Sequence, residues 1–170
     1  MNRRIVFVFA CFGILLSSCK KPQTSNQELL SIVTKLQTDN DFYYLKTLEP
    51  NKEDIKKIVR DSFFIELLND YSKKIWQNVD LFSKKLMMLE NKSDKVAIVA
   101  SNKMQLVDWR HMTGVPIKYN VLSEFIYDDI TVYGLQFIDS EGNLIKERDA
   151  FFKVDDKWIF IPEAYKAFIE

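Results

Sequence analysis

The sequence predicts an α+β domain, with N-terminal helices, one of them long and amphipathic, packed on a C-terminal antiparallel β-meander. Three observations carry this. Apolar residues recur at helical spacing up to about residue 91 and switch to alternation after residue 130. Turn-forming residues divide the second half into short segments. The length of 170 residues and a hydrophobic content of 47% suit one domain with its own core. Helices first and strands second place the helices on one face of an antiparallel sheet.

Over residues 27–38, Leu29, Leu30, Ile32, Val33 and Leu36 form one helical stripe. Pro50-Asn51 interrupts it. Asn51 with Asp54 three residues later marks a new helix start, because the Asn side chain accepts from an orphan backbone N–H. Ile55, Ile58 and Val59 carry that helix to about Arg60. Leu68, Tyr71, Ile75, Val79, Phe82, Leu86 and Leu89 are spaced 3, 4, 4, 3, 4 and 3. One apolar face of about six turns follows, ending near Asn91. Packing on the domain's own sheet explains it better than a coiled coil, because the pattern lasts only about three heptads.

Within residues 92–129, Val96–Ala100 and Met104–Trp109 fit strand or helix equally, and Thr113-Gly114-Val115-Pro116 reads as a loop. Ile130–Ile138 puts Tyr133, Leu135 and Phe137 on one alternating face. Asp139 to Asn143 forms a turn around Gly142. Leu144–Val154 and Lys157–Ile161 are two more strands joined by Asp155-Asp156. Pro162 ends the meander, and a short helix over Glu163–Ile169 closes the chain.

The N-terminus has its own grammar. Asn2-Arg3-Arg4 is followed by an apolar run from Ile5 to Leu16, then Ser17, Ser18 and Cys19. A run of about 12 residues is too short to span a hydrocarbon core of roughly 30 Å as a helix, but it fits a cleaved export signal. Leu16-Ser17-Ser18-Cys19 resembles the bacterial lipobox. That resemblance implies cleavage after residue 18, diacylglycerol on the Cys19 sulfur, and often a further acyl chain such as palmitate on the new amino group. Two or three acyl chains hold a protein on a membrane stably where one does so only marginally. The expected organisation is therefore a lipoprotein signal peptide (1–18), a lipidated tether (19–26) and a single domain (27–170). The location it implies is the bacterial cell envelope, on the outer membrane, facing the periplasm or the surface.

Chemistry is limited by composition. Cys11 would leave with the signal and Cys19 would carry lipid, so the mature chain would offer no thiol for catalysis or metal binding. Without Arg3 and Arg4 it carries 24 − 2 = 22 basic against 24 acidic residues, and no nucleic-acid partner is expected. One histidine, His111, stands in Asp108-Trp109-Arg110-His111. It can serve as a general base oriented by Asp108, but a structural hydrogen bond is the commoner use. Asp139–Glu141 and Asp155-Asp156 lack the spacing of a calcium loop. No glycine-rich phosphate loop or nucleophile elbow is present. No metal, cofactor or catalytic residue is therefore expected.

Asp128-Asp129 and Glu147-Arg148-Asp149 remain as acid–base candidates. By alternation, Glu147 and Asp149 share a face with Phe151 and oppose Arg148, and an outward-facing charged surface is the plainer reading. Trp109 and Trp158 line a pocket or fill a core, as Trp76 would.

The closing hairpin with Asp155-Asp156-Lys157-Trp158 resembles the last hairpin of cystatin-like and NTF2-like cone folds, over about 40 residues. The expected function is a non-enzymatic, lipid-anchored binding module for a protein partner or a small apolar ligand. The alternatives are an NTF2-like envelope enzyme using Asp108 and His111 or Glu147 and Asp149, and a periplasmic inhibitor or immunity-type protein.

Overall fold

A computed structural model of the chain describes residues 24–39, 43–78, 95–108, 110 and 114–169. Residues 1–23, which hold the expected signal peptide, Cys19 and most of the expected tether, lie outside the described residues. So do Trp109, His111 and the second half of the amphipathic pattern, from Val79 to Leu89.

Helix α1 spans Ser25–Thr38 and starts two residues before the apolar stripe. Thr24 and Gln27 form a reciprocal capping box, so Ser25 and Asn26 belong to the helix rather than to the tether. Leu29, Ile32, Val33 and Leu36 are buried, whereas Leu30 is 46% exposed and lies off the buried face. The short helix α2 covers Tyr43–Lys46, and the Asp39 carboxylate accepts from the backbone N–H of Leu45 at 2.8 Å.

Helix α3 begins where Asn51 and Asp54 predict. The Asn51 side chain accepts from the Asp54 N–H at 2.9 Å, and the Asp54 carboxylate accepts from the Asn51 N–H at 2.9 Å. It stops at Lys56, four residues short of the expected end. Val59 is drawn out of the helix by an antiparallel bridge to Ile126, with Tyr127 N donating to Ile58 O and Arg60 N to Phe125 O. Removing this cap with Asn51→Ala is expected to cost about 1 kcal/mol. An unchanged urea midpoint would contradict that.

Helix α4 covers Ser62–Trp76, starting six residues before Leu68 because Asp61 caps it on Phe63 N. Among the described residues its helical backbone ends at Trp76, whose indole N–H donates to Phe160 O at 3.1 Å.

Four strands follow in the order β1-β2-β3-β4, all antiparallel: Lys95–Asn102, Thr131–Ile138, Leu144–Val154 and Lys157–Phe160. The segment that fitted strand or helix over 96–100 is thus β1, and residues Lys103–Val107 are a single helical turn capped by Asn102. A 3-10 helix spans Ile117–Glu124, and a second one, Ala164–Phe168, closes the chain.

Helices cover both faces of the sheet, not one. Ile55, Ile58, Leu68, Tyr119 and Leu122 pack with Val132, Phe152, Val154 and Ile159 in one cluster. Leu29, Ile32, Val33, Leu36 and Trp76 pack with Leu135, Phe137, Phe151, Trp158 and Phe160 in the other. Adjacent residues Phe151 and Phe152 fall in different clusters, as strand alternation requires. Lys153 and the Trp158 indole both bond the Glu28 carboxylate, at 2.6 and 3.2 Å, and tie α1 to the second face. The same two donors hold Glu28 below the usual glutamate range.

Candidate functional site

The sequence pattern Glu147-Arg148-Asp149 lies on β3 just before an irregularity. Tyr133 pairs with Phe151, but the next β2 residue, Gly134, pairs with Asp149. Ala150 is the extra residue of a β-bulge, and the Asp149–Ala150 peptide is cis. One inserted residue turns everything beyond it to the opposite face. Glu147 and Asp149 still share a face, as expected, but Phe151 does not: it points to the α1 side while Asp149 points to the α4 side. The expectation of an outward charged surface therefore fails at Asp149, which is 9% exposed. Gly134 stands opposite it, where an added Cβ would meet Val99 Cγ2 at 3.1 Å and Asp149 Cβ at 3.6 Å.

The partner of Asp149 comes from the first 3-10 helix. Tyr119 is fully buried, and its hydroxyl donates to Asp149 Oδ1 at 3.0 Å. Asp149 Oδ2 is covered and has no hydrogen-bond partner. Burial pushes the Asp149 carboxyl up, assisted by Glu147 and Glu163, against the pull of Tyr119 and Lys118. Burial, then the Asp149 charge, hold the Tyr119 phenol well above its ordinary value, so it remains a donor.

A cavity of about 700 Å³ opens beside this pair. β4 pairs with only Phe151 to Val154, so among the described residues no strand flanks the first half of β3 on that edge. Beyond β4 the chain continues along β3 only briefly: Ala150 and Ile161 exchange backbone bonds at 3.2 and 2.9 Å, and Glu163 N donates to Asp149 O at 2.9 Å. Tyr71, Ile75, Pro116, Phe160 and Pro162 supply apolar wall, and the Tyr71 hydroxyl donates to Pro162 O at 3.0 Å. Lys118, Glu147, Arg148, Asp149, Glu163 and Lys166 bring charge to the lining.

Glu163 has φ +50, a left-handed conformation that costs a non-glycine residue roughly 1 kcal/mol. Its carboxylate meets Lys166 at 2.8 Å, the Tyr165 hydroxyl at 3.1 Å and Lys118 at 3.8 Å. Burial raises its pKa, but those donors outweigh burial and hold it below the usual range. Burial likewise opposes the charge on Lys118, yet Tyr165, Asp149 and Glu163 outweigh it and raise its pKa.

The other sequence candidates are placed elsewhere. Asp108 is gripped by Arg110 at 2.9 and 3.1 Å. Asp128 is exposed between Arg60 and Lys103. The Asp139 carboxylate accepts from Glu141 N and Asn143 N, so it shapes its turn, and Asp155 pairs with Lys57. Among the described residues no group of acidic, His or Cys side chains is arranged to hold a metal ion. Trp158 packs edge-on against Tyr133 in the second cluster, away from the cavity. Tyr119, Lys118 and Glu163 carry no motif in the sequence; Pro116 and Pro162, each just ahead of them, were the only local hints.

Searches of family models, curated proteins and solved structures give no match to this chain.

Proposed function

We propose that the chain is a lipid-anchored protein of the bacterial cell envelope whose domain binds a small ligand and does no chemistry on it. The observation that carries the binding half is the cavity of about 700 Å³ beside a buried carboxyl with one unpartnered oxygen. Its size lies within the roughly 300–1,000 Å³ of small-molecule sites. Five apolar or aromatic residues beside six charged ones favour a ligand with an apolar body and a polar end, rather than a wholly apolar one. The anchor half is supported by Leu16-Ser17-Ser18-Cys19 and by the length of the apolar run before it. No helix among the described residues is long and apolar enough to cross a membrane.

An acid–base enzyme is the second reading, favoured by the raised pKa of Asp149 in a cavity. Binding is preferred because, among the described residues, no side chain placed as a nucleophile accompanies the Tyr119–Asp149 pair.

Both halves are testable in cells. Labelling with a radioactive fatty acid should mark the wild-type chain, and Cys19→Ser should abolish both the label and membrane retention. For the cavity, backbone amide shifts on adding small amphiphiles should concentrate at Tyr71, Lys118, Glu147 and Glu163. Label on the serine variant would refute the anchor, and shifts scattered over the surface would refute the pocket.

A further inference from the structure

We propose that Pro162 and Glu163, which form one rim of the cavity, are a pH-sensitive latch: the rim grips β3 while Asp149 carries a proton and loosens as Asp149 ionises. Its purpose rests on the cavity being a binding site, since a loosened rim widens the way in. Its working is read from backbone amides with no ligand added, so the latch can fail and leave the binding site standing.

The rim is a short span between fixed ends. Ile161 and Ala164 on either side are fully buried in the cluster that holds Tyr119, and Ile161 exchanges backbone bonds with Ala150 at 3.2 and 2.9 Å. Pro162 and Glu163 themselves are half-buried. Among the described residues, one backbone bond ties them to β3, Glu163 N donating to Asp149 O at 2.9 Å. The Tyr71 hydroxyl on α4 bonds Pro162 O at 3.0 Å, and proline has no N–H to add. Glu163 keeps its φ of +50 at a cost that loosening relieves.

The residue under the rim is poorly placed to carry charge. Asp149 is 9% exposed, its Oδ2 is covered and without a partner, and its Oδ1 has one neutral donor, the Tyr119 hydroxyl, at 3.0 Å. A proton on the carboxyl removes the cost of a buried, half-satisfied charge. The charged groups that act on it are Lys118 from the first 3-10 helix, Glu147 on β3 and Glu163 on the rim. Arg148 turns its guanidinium to the Glu147 backbone oxygen at 2.7 Å, and Lys166 meets Glu163 at 2.8 Å. β2 and β1 present Gly134 and Val99 there, with no charge. Lys118 favours ionisation, but its ammonium lies over the Tyr165 ring at 4.5 Å and 3.8 Å from Glu163. Against its burial, Lys166 and Tyr165 keep Glu163 ionised. An ionised Asp149 therefore faces like charge on the rim as well as burial. Loosening relieves both, because it admits water to Asp149 and lets Glu163 draw back.

The sign follows from proton linkage. With the rim closed, Asp149 holds its proton more tightly than at the ordinary aspartate value of about 3.9, and with the rim open it titrates near that value. The closed form binds more protons and is favoured at low pH. The opening constant rises about tenfold per pH unit above about 3.9 and levels once pH passes the closed-form value.

Hydrogen exchange of the full mature chain in phospholipid nanodiscs, followed from about pH 4 to about pH 8 as protection factors, tests the latch. The Glu163 amide should be at least about tenfold less protected than that of Phe160, whose N–H donates to Leu48 O at 2.9 Å, because the rim opens without the core. Its protection should fall about tenfold per pH unit and level at the midpoint where the Asp149 carboxyl carbon titrates. In Asp149→Asn, which cannot ionise, Glu163 protection should not change with pH. If that variant fails to fold, the match between Asp149 titration and Glu163 protection in the wild type decides. Glu163 protection equal to that of Phe160, protection flat with pH in the wild type, or a midpoint that follows Glu147 or Glu163 would each overturn the latch.

Discussion

Phe152→Ala is expected to cost about 3–5 kcal/mol, a large part of the roughly 5–15 kcal/mol that holds a domain of this size. Phe152 is 1% exposed and sits on β3 opposite Ile159 of β4. It lies in the cluster where α3, α4 and both 3-10 helices meet the sheet. Its loss removes a full ring from a buried cluster, so transfer and cavity costs add. Urea denaturation should show the midpoint falling steeply with little change in slope. A loss under about 1.5 kcal/mol would mean that this face repacks freely around the missing ring.

Tyr119→Phe is the second large effect, about 1–3 kcal/mol at neutral pH. The ring volume is kept, so only the hydroxyl is lost. That leaves both oxygens of the buried Asp149 without a partner, because Oδ2 already has none. The sign of the pH dependence follows from the raised carboxyl. A group whose folded pKa lies above its unfolded value binds its proton more tightly in the native state. Stability therefore falls as pH rises from the unfolded aspartate value, about 3.9, through the folded one. Tyr119 is the first of the influences lowering the Asp149 pKa, so its removal pushes that value further up and extends the window. The gap between variant and wild type should be largest near about pH 7.5 and shrink toward about pH 3, below the ordinary aspartate value, where Asp149 is largely protonated in both. A gap equal at the two pH values would show that the hydroxyl acts by packing alone.

These two positions differ in how far the sequence announced them. Phe152 sits in a strand whose bounds, Leu144–Val154, match the structure residue for residue, although the bulge at Ala150 decides which face its ring takes. The existence and length of a strand are local properties, so they can be read locally. Asn51 and Asp54 were legible for the same reason: a capping box closes within four residues. Tyr119 was not. It meets Asp149 across 30 residues of chain, through a loop and a 3-10 helix that leave no periodic trace. Val59 shows the same limit, since its helical spacing is overridden by a bridge to Ile126 far along the chain.

The bulge at Ala150 marks the boundary most sharply. Sequence alternation put Phe151 beside Glu147 and Asp149, and one extra residue sent it to the other face. Nothing within β3 specifies that slip. It is set by pairing with Tyr133 and Gly134, and by Ile161 and Glu163 bonding to the backbone around Asp149.

By itself, the sequence determined the α+β class, the last three strands, the turn at Asp139–Asn143 and the helix start at Asn51, because propensity, period and capping act within a few residues. The proposal of a lipid on Cys19 likewise rests on a handful of consecutive side chains. Only the tertiary structure decided that helices cover both faces of the sheet and that Asp149 is buried on Tyr119 beside a cavity. Those outcomes depend on strand register and on contacts between distant segments, where burial energies compete over the whole chain and no short window contains the answer.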